Sequence, residues 1–230
     1  MVYLVTFMGR LRFIAGLDDA GRGPIIGPMV IAGIKIREDR MVILEEMGVR
    51  DSKEVSARSR ERLAEAVKEH VDGYYVVKIS PKVIDRYVAM SSRPGGLNFL
   101  EAKAMARVIS KLKPDIAYID ASDVDCSRFC DWINMNLESL KVKLIGEHHA
   151  DKRYPIVSGA SILAKVARDR EINKLKRIYG DFGSGYVTDP HTINFLKSFY
   201  LKHGFFPYIV RKSWKTLKRI ENELRQSKLF

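Results

Sequence analysis

Phe13-Ile14-Ala15-Gly16-Leu17-Asp18-Asp19-Ala20-Gly21-Arg22-Gly23-Pro24 runs from an apolar segment into two adjacent carboxylates and then into a glycine-flanked turn. The apolar half reads as a buried strand that ends at the acid pair. Carboxylates a few ångströms apart repel, and one pKa rises unless a cation or proton neutralises the charge. The pair therefore points to a metal site or an acid/base dyad. The Gly21-Arg22-Gly23 turn adds bare backbone and a guanidinium suited to two-pronged capture of a phosphate.

Working outward, further short apolar runs at Met29 to Ile36, Tyr74 to Ile79, Ile116 to Asp120 and Val142 to Ile145 read as strands. The first two follow one another through a Gly- and Pro-bearing turn, as antiparallel neighbours do. The later ones alternate with helical patterns, as parallel crossover units do. The expected fold is α/β, with a mixed five-stranded sheet flanked by helices. Leu97, Leu100, Ala104 and Val108 share a helical face, and Pro114 stops that helix before the Ile116 strand. A long amphipathic helix is expected from Ser158 to Ile178. Beyond Gly180 a turn-rich link, Asp181 to Tyr186, leads to short basic helices at His191 to Lys202 and Ser213 to Gln226. The chain accordingly divides into 1–180, with 1–12 as an N-terminal extension, and a small C-terminal helical part at 181–230.

The 230 residues, 46% hydrophobic, are enough for a real core. Forty Lys and Arg against 28 Asp and Glu give a net charge of +12, which favours a polyanionic partner or simply a solvated basic surface. Cys126 and Cys130 stand four apart in a helical pattern, without the companion ligands of a zinc site or a disulfide framework. The apolar start, Met1 to Phe7, is short and closed by Arg10 and Arg12, unlike a signal peptide or a membrane span. The chain reads as cytoplasmic, with no membrane partner.

Asp120 closes its strand at the carboxyl end, where ligand sites of open sheets gather. Alone it also suits a turn or helix cap. If its strand neighbours the first, Asp18, Asp19 and Asp120 meet in an oxygen-rich pocket suited to magnesium or manganese. Asp151 follows in a loop with His148 and His149, which read as exposed loop residues rather than ligands.

With these acids placed, the chain resembles the ribonuclease HII family, archaeal members above all. The resemblance runs through Ala15 to Pro28, Arg50-Asp51-Ser52-Lys53, Tyr118 to Ala121, His149-Ala150-Asp151, Tyr154 to Lys165, Gly183 to Tyr186 and Arg211 to Thr216. It implies a ribonuclease H-like fold and a metal-dependent endonuclease that cleaves the RNA strand of RNA/DNA hybrids. It also implies cutting on the 5′ side of single ribonucleotides embedded in duplex DNA, leaving 5′-phosphate and 3′-hydroxyl ends. Asp18, Asp19, Asp120 and Asp151 are then the catalytic carboxylates and the ligands of two divalent ions, Mg2+ or Mn2+, in an in-line displacement. Gly21, Arg22, Gly23 and Tyr186 match the family's sensor of the ribose 2′-hydroxyl, although alone they suit a tight turn and a packing aromatic. Lys53, Lys165, Arg168, Lys212 and Lys215 are expected on substrate phosphates, or as solvated charges.

Where the family usually has Asp-Glu, this chain has Asp18-Asp19, one methylene shorter, so an altered metal preference is expected. Gln226, Leu229 and Phe230 faintly resemble the glutamine-led motif with which DNA-repair proteins bind the sliding clamp. The expected working form is a monomer. The rivals are a junction resolvase or type 3 ribonuclease H, against which the turn and Tyr186 argue, and a non-catalytic nucleic-acid binder, for which four clustered acids would repel phosphate. A P-loop nucleotidase lacks its Lys-Ser/Thr pair here.

Overall fold

The computed structural model describes residues 11–49, 56–90 and 96–226. In chain order the elements are β1 (Phe13–Ala20), β2 (Met29–Arg37), α1 (Val42–Glu46), α2 (Ala57–His70), β3 (Gly73–Ile79), α3 (Pro81–Ala89), α4 (Gly96–Leu112) and β4 (Ile116–Asp120). They continue with α5 (Cys126–Asn134), β5 (Lys143–Glu147), α6 (Ala150–Arg153), α7 (Pro155–Tyr179), α8 (Pro190–His203) and α9 (Lys215–Gln226). The five strands form one mixed sheet in the order β3-β2-β1-β4-β5.

β1 and β2 are antiparallel, and β4 and β5 join parallel to β1, as their patterns predict. The expected crossover fails for β3, which pairs antiparallel with β2 despite the helices between them. That connection starts and ends at one end of the sheet. There Arg40 pairs with Asp72, and the Asp72 N–H donates to the Lys35 carbonyl.

The apolar residues sort by strand alternation onto two faces. Ala15, Leu17, Ala117 and Ile119 pack with Met105, Val108 and Ile109 of α4. Ile14, Ala20, Ile34 and Ile116 pack with Ile156, Val157 and Ala160 of α7. Gly16 makes the second contact possible, because a Cβ there would run into the Ile156 and Val157 backbone. α7 starts at Pro155, three residues before the expected Ser158, since proline suits a first helical turn whose N–H groups lack partners anyway. The last helix begins at Lys215 rather than Ser213. The Lys212 and Ser213 N–H groups are instead held by Asp85 of α3, each at 2.9 Å.

A third apolar cluster joins Phe182, Leu196, Phe206, Val210, Leu217 and Ile220 to Ile25, Ile26 and Ile172. The residues after 180 therefore share a core with the segment just beyond the Gly21-Arg22-Gly23 turn. Among the described residues no helix is long and apolar enough to cross a membrane.

Candidate active site

β1 continues two residues past its expected end, so Asp18 and Asp19 lie within the strand and their side chains leave on opposite faces. Asp18 points to the α7 side, where Ser161 lies beside it. The parallel register, Leu17 against Ile119, brings Asp120 beside Asp18 one residue further on. Asp151 reaches the same place from α6, which begins one residue after the left-handed His149.

Asp18, Asp120 and Asp151 each offer a carboxylate oxygen within 4.8 Å of the others. Burial, with Asp19 and Asp120 nearby, pushes the Asp18 carboxyl up to about 8. Burial and Asp151 also push Asp120 up, opposed by the N–H groups of Ala150 and His149. Asp18 and Asp120, both held up in pKa, stand with Asp151 as a set of oxygen-only donors, which fits a hard divalent cation that would neutralise their charge. His148 and His149 are exposed, and His148 Nδ1 lies 3.2 Å from the Ala121 carbonyl.

Asp19 stands outside that trio, on the α4 side. There it meets Glu101, which is 0% exposed and was not singled out from the sequence. Burial and this mutual repulsion raise the pKa of Asp19, and burial raises that of Glu101. Glu101 also accepts from Arg22 Nε at 3.1 Å, while Arg22 Nη2 donates to Asn98. Asn98 in turn donates to Asp123 at 2.8 Å. The Arg22 fork, expected to await a phosphate, is thus engaged by the protein, because Asn98 and Glu101 lie three apart on one face of α4.

The turn itself lines a cleft of about 330 Å³ together with Asp19, Lys165, Arg168 and Tyr186. Gly21 has φ +81°, and a Cβ there would strike the Arg168 side chain, so both its conformation and its neighbour require glycine. A Cβ on Gly23 would lie 3.6 Å from the Tyr186 ring, which is 41% exposed and carries the Arg168 guanidinium 5.6 Å above it. Arg168 is 8% exposed, with Nε and Nη2 buried and unbonded.

The structure therefore gathers Asp18, Asp120 and Asp151 at one point and Gly21 to Gly23, Tyr186, Lys165 and Arg168 at the adjoining cleft. Lys212 and Lys215 are exposed and do not line it. Lys53 lies outside the described residues, as do Leu229 and Phe230 of the C-terminal motif. Glu101 had a faint signal in the sequence, an acid at a helix position whose neighbours Leu100, Ala102 and Met105 are core.

A ribonuclease HII family model matches residues 15–217. Ribonuclease HII of Thermococcus sibiricus is 47% identical over 217 residues, 94% of each chain. The crystal structure of ribonuclease H2 from Pyrococcus horikoshii superposes with a TM-score of 0.86 at 44% identity, covering 93% of this chain and 99% of that one. A structure of the PCNA:RNase HII complex from Archaeoglobus fulgidus superposes with a TM-score of 0.80 at 39% identity, covering 90% and 96%. Sequence, fold and the carboxylate trio agree, and the chain belongs to the ribonuclease HII family, hydrolases that cleave the RNA strand of RNA/DNA hybrids.

Proposed function

We propose that the protein cuts duplex DNA on the 5′ side of a single embedded ribonucleotide, as well as RNA in hybrids, with Asp18, Asp19, Asp120 and Asp151 as its catalytic carboxylates. The observation that carries this reading is the convergence of Asp18, Asp120 and Asp151 beside the Gly21-Arg22-Gly23 turn and Tyr186. Two Mg2+ or Mn2+ ions, when bound, supply Lewis acidity to the scissile phosphate and acidify water for in-line attack, leaving 5′-phosphate and 3′-hydroxyl ends.

The chain's own residues supply position and discrimination. Asp18, Asp120 and Asp151 would hold the ions from one face of the sheet, and Asp19 would complete the set from the other, where it lies within electrostatic reach of Asp120. The turn backbone and the Tyr186 phenol read the ribose 2′-hydroxyl, which both donates and accepts. Arg168 and Lys165 meet substrate phosphate in the cleft, the two buried unbonded nitrogens of Arg168 being donors in want of an acceptor. Lys53, Lys212 and Lys215 add backbone contacts further along the duplex.

Residues 181–226 act as a substrate-binding extension built on the Ile25 and Ile26 segment. The protein works as a monomer, and the end beginning at Gln226, with Leu229 and Phe230, docks on a sliding clamp. The relative from Archaeoglobus fulgidus, solved with PCNA, supports that partner.

The test is an end-labelled duplex with one ribonucleotide, incubated with Mg2+, Mn2+ or chelator beside an all-deoxy control. A metal-dependent cut 5′ of the ribose and none in the control is expected. Equal cutting of both duplexes, or a cut 3′ of the ribose, would overturn the reading.

A further inference from the structure

Arg211 is 0% exposed, pairs with no carboxylate among the described residues, and spends its donors on backbone carbonyls. Nε donates to Gly27 at 3.1 Å, Nη1 to Arg22 at 2.7 Å, and Nη2 to Gly21. Three residues on, Trp214 Nε1 donates to the Gly23 carbonyl at 3.0 Å, and the Trp214 ring lies 5.0 Å from the Arg211 guanidinium. The Arg211 N–H donates to the Ile25 carbonyl at 2.8 Å, and Asp85 pins the intervening Lys212 and Ser213 to α3. One short segment thus takes every carbonyl of Gly21-Arg22-Gly23.

Peptide planarity gives this grip a consequence. In a trans peptide the C=O of one residue and the N–H of the next point opposite ways. With the Gly21 and Arg22 carbonyls turned to Arg211, the N–H groups of Arg22 and Gly23 are turned away from it. Glycine at 21 and 23 leaves this turn little intrinsic stiffness, so its shape has to be imposed from outside. A planar fork with five donors holds several carbonyls in fixed directions, whereas the three donors of a lysine ammonium rotate about a single nitrogen. Burying that cation is costly: burial and nearby Arg168 pull the Arg211 pKa down to about 9.

We infer that Arg211, with Trp214, is a positioning pair that presets the Gly21-Arg22-Gly23 turn for the ribose, so that the distant C-terminal segment sets the enzyme's discrimination between ribose and deoxyribose. This rests on the reading of the turn as the 2′-hydroxyl sensor. Neither residue touches the substrate. They act through the direction of two peptide groups.

The experiment measures Kd, with chelator present to prevent cleavage, for a DNA duplex bearing one ribonucleotide and for the same duplex in all-deoxy form. Wild type, Trp214→Phe and Arg211→Lys are compared, with thermal midpoints alongside. Trp214→Phe keeps an aromatic ring beside Arg211 while deleting the N–H bond to Gly23, so it tests the idea even if Arg211→Lys does not fold. Wild type is expected to prefer the ribonucleotide duplex, and the preference to fall about fivefold or more in each folded variant while all-deoxy affinity stays within about twofold. A preference kept intact in Trp214→Phe, with only a lower thermal midpoint, would overturn the positioning role alone. An absence of preference in wild type would overturn the sensor reading, and the inference with it.

Discussion

Half-buried Asp19 and fully buried Glu101 face each other between β1 and α4, and Arg22 pairs with Glu101 within electrostatic reach of Asp19. Burial raises the pKa of both, Glu101 pushes Asp19 further up, and the guanidinium opposes the rise in each. The turn that carries Arg22 is thereby coupled to the carboxylates at the end of β1 through one side chain.

Glu101→Gln keeps the shape and an acceptor for Arg22 but removes the charge. The expected result is a several-fold increase in KM for ribonucleotide-containing duplex with a kcat within about threefold of wild type, because Arg22 loses roughly 1–3 kcal/mol of charge-assisted bonding. Steady-state kinetics decide it. A loss of kcat as deep as that from removing a carboxylate of the trio would make Glu101 a member of the catalytic set.

The Asp18 pKa near 8 predicts how metal-free stability depends on pH. Its ordinary value is 3.8, so between about pH 4 and pH 8 the folded protein keeps a proton that the unfolded chain has released. Stability from this group is complete below the lower value and is lost as pH rises toward the higher one. Asp18→Asn should therefore be more stable than wild type at pH 8 in chelator, by about 1 kcal/mol or more, equivalent to roughly 2–4 °C, and the gap should close toward pH 4. Added Mn2+ should raise the wild-type midpoint more at pH 8 than at pH 5 and leave the variant nearly unmoved. Melting curves over this range would refute the assignment if the variant showed no advantage at pH 8.

Gly21→Ala should fold with a modest loss of stability, about 1–2 kcal/mol for the left-handed backbone, and lose cleavage at least tenfold as Arg168 is displaced. Gly204→Ala is the control, since it shares a positive φ of +76° but opens onto empty space. Comparable activity losses in the two variants would contradict a specific role for the Gly21 contact.

Gly16→Ala tests the packing that carries Asp151 toward Asp18. A methyl there meets helix backbone rather than a movable side chain. A cost of about 2–3 kcal/mol, or roughly 4–10 °C, is expected in thermal melts, with metal affinity weakened as α7 moves off β1. A variant of wild-type stability would show that the helix yields freely.

Strand alternation explains much of what the sequence revealed and what it hid. The apolar runs at Phe13, Met29 and Ile116 are long and bounded by turn residues, so the sheet was legible. Asp120 at a strand end needed only a parallel neighbour to become a site residue, and β1 provides it. The length of β1 was not legible, since Asp19-Ala20 carries no strand signal of its own, and two residues of extension decide which face each acid takes. β3 was misread for direction because helices usually mark a crossover, whereas here they return the chain to the same end. Glu101 was not singled out, and Arg211 stood only as part of a matching stretch with no role of its own, for a common reason. Each is a charged residue whose side-chain hydrogen bonds reach 79 to 190 positions along the chain, so neither a local period nor a spacing reveals its burial.

The most direct test compares wild type with Asp120→Asn on the end-labelled duplex carrying one ribonucleotide, measuring cleavage with Mg2+ or Mn2+ and duplex affinity in chelator. Removing one member of the trio should abolish the cut, by about a thousandfold or more, while duplex affinity is kept or improved as a negative charge leaves the phosphate's path. A variant that still cuts within tenfold of wild type would place the chemistry somewhere other than Asp18, Asp120 and Asp151.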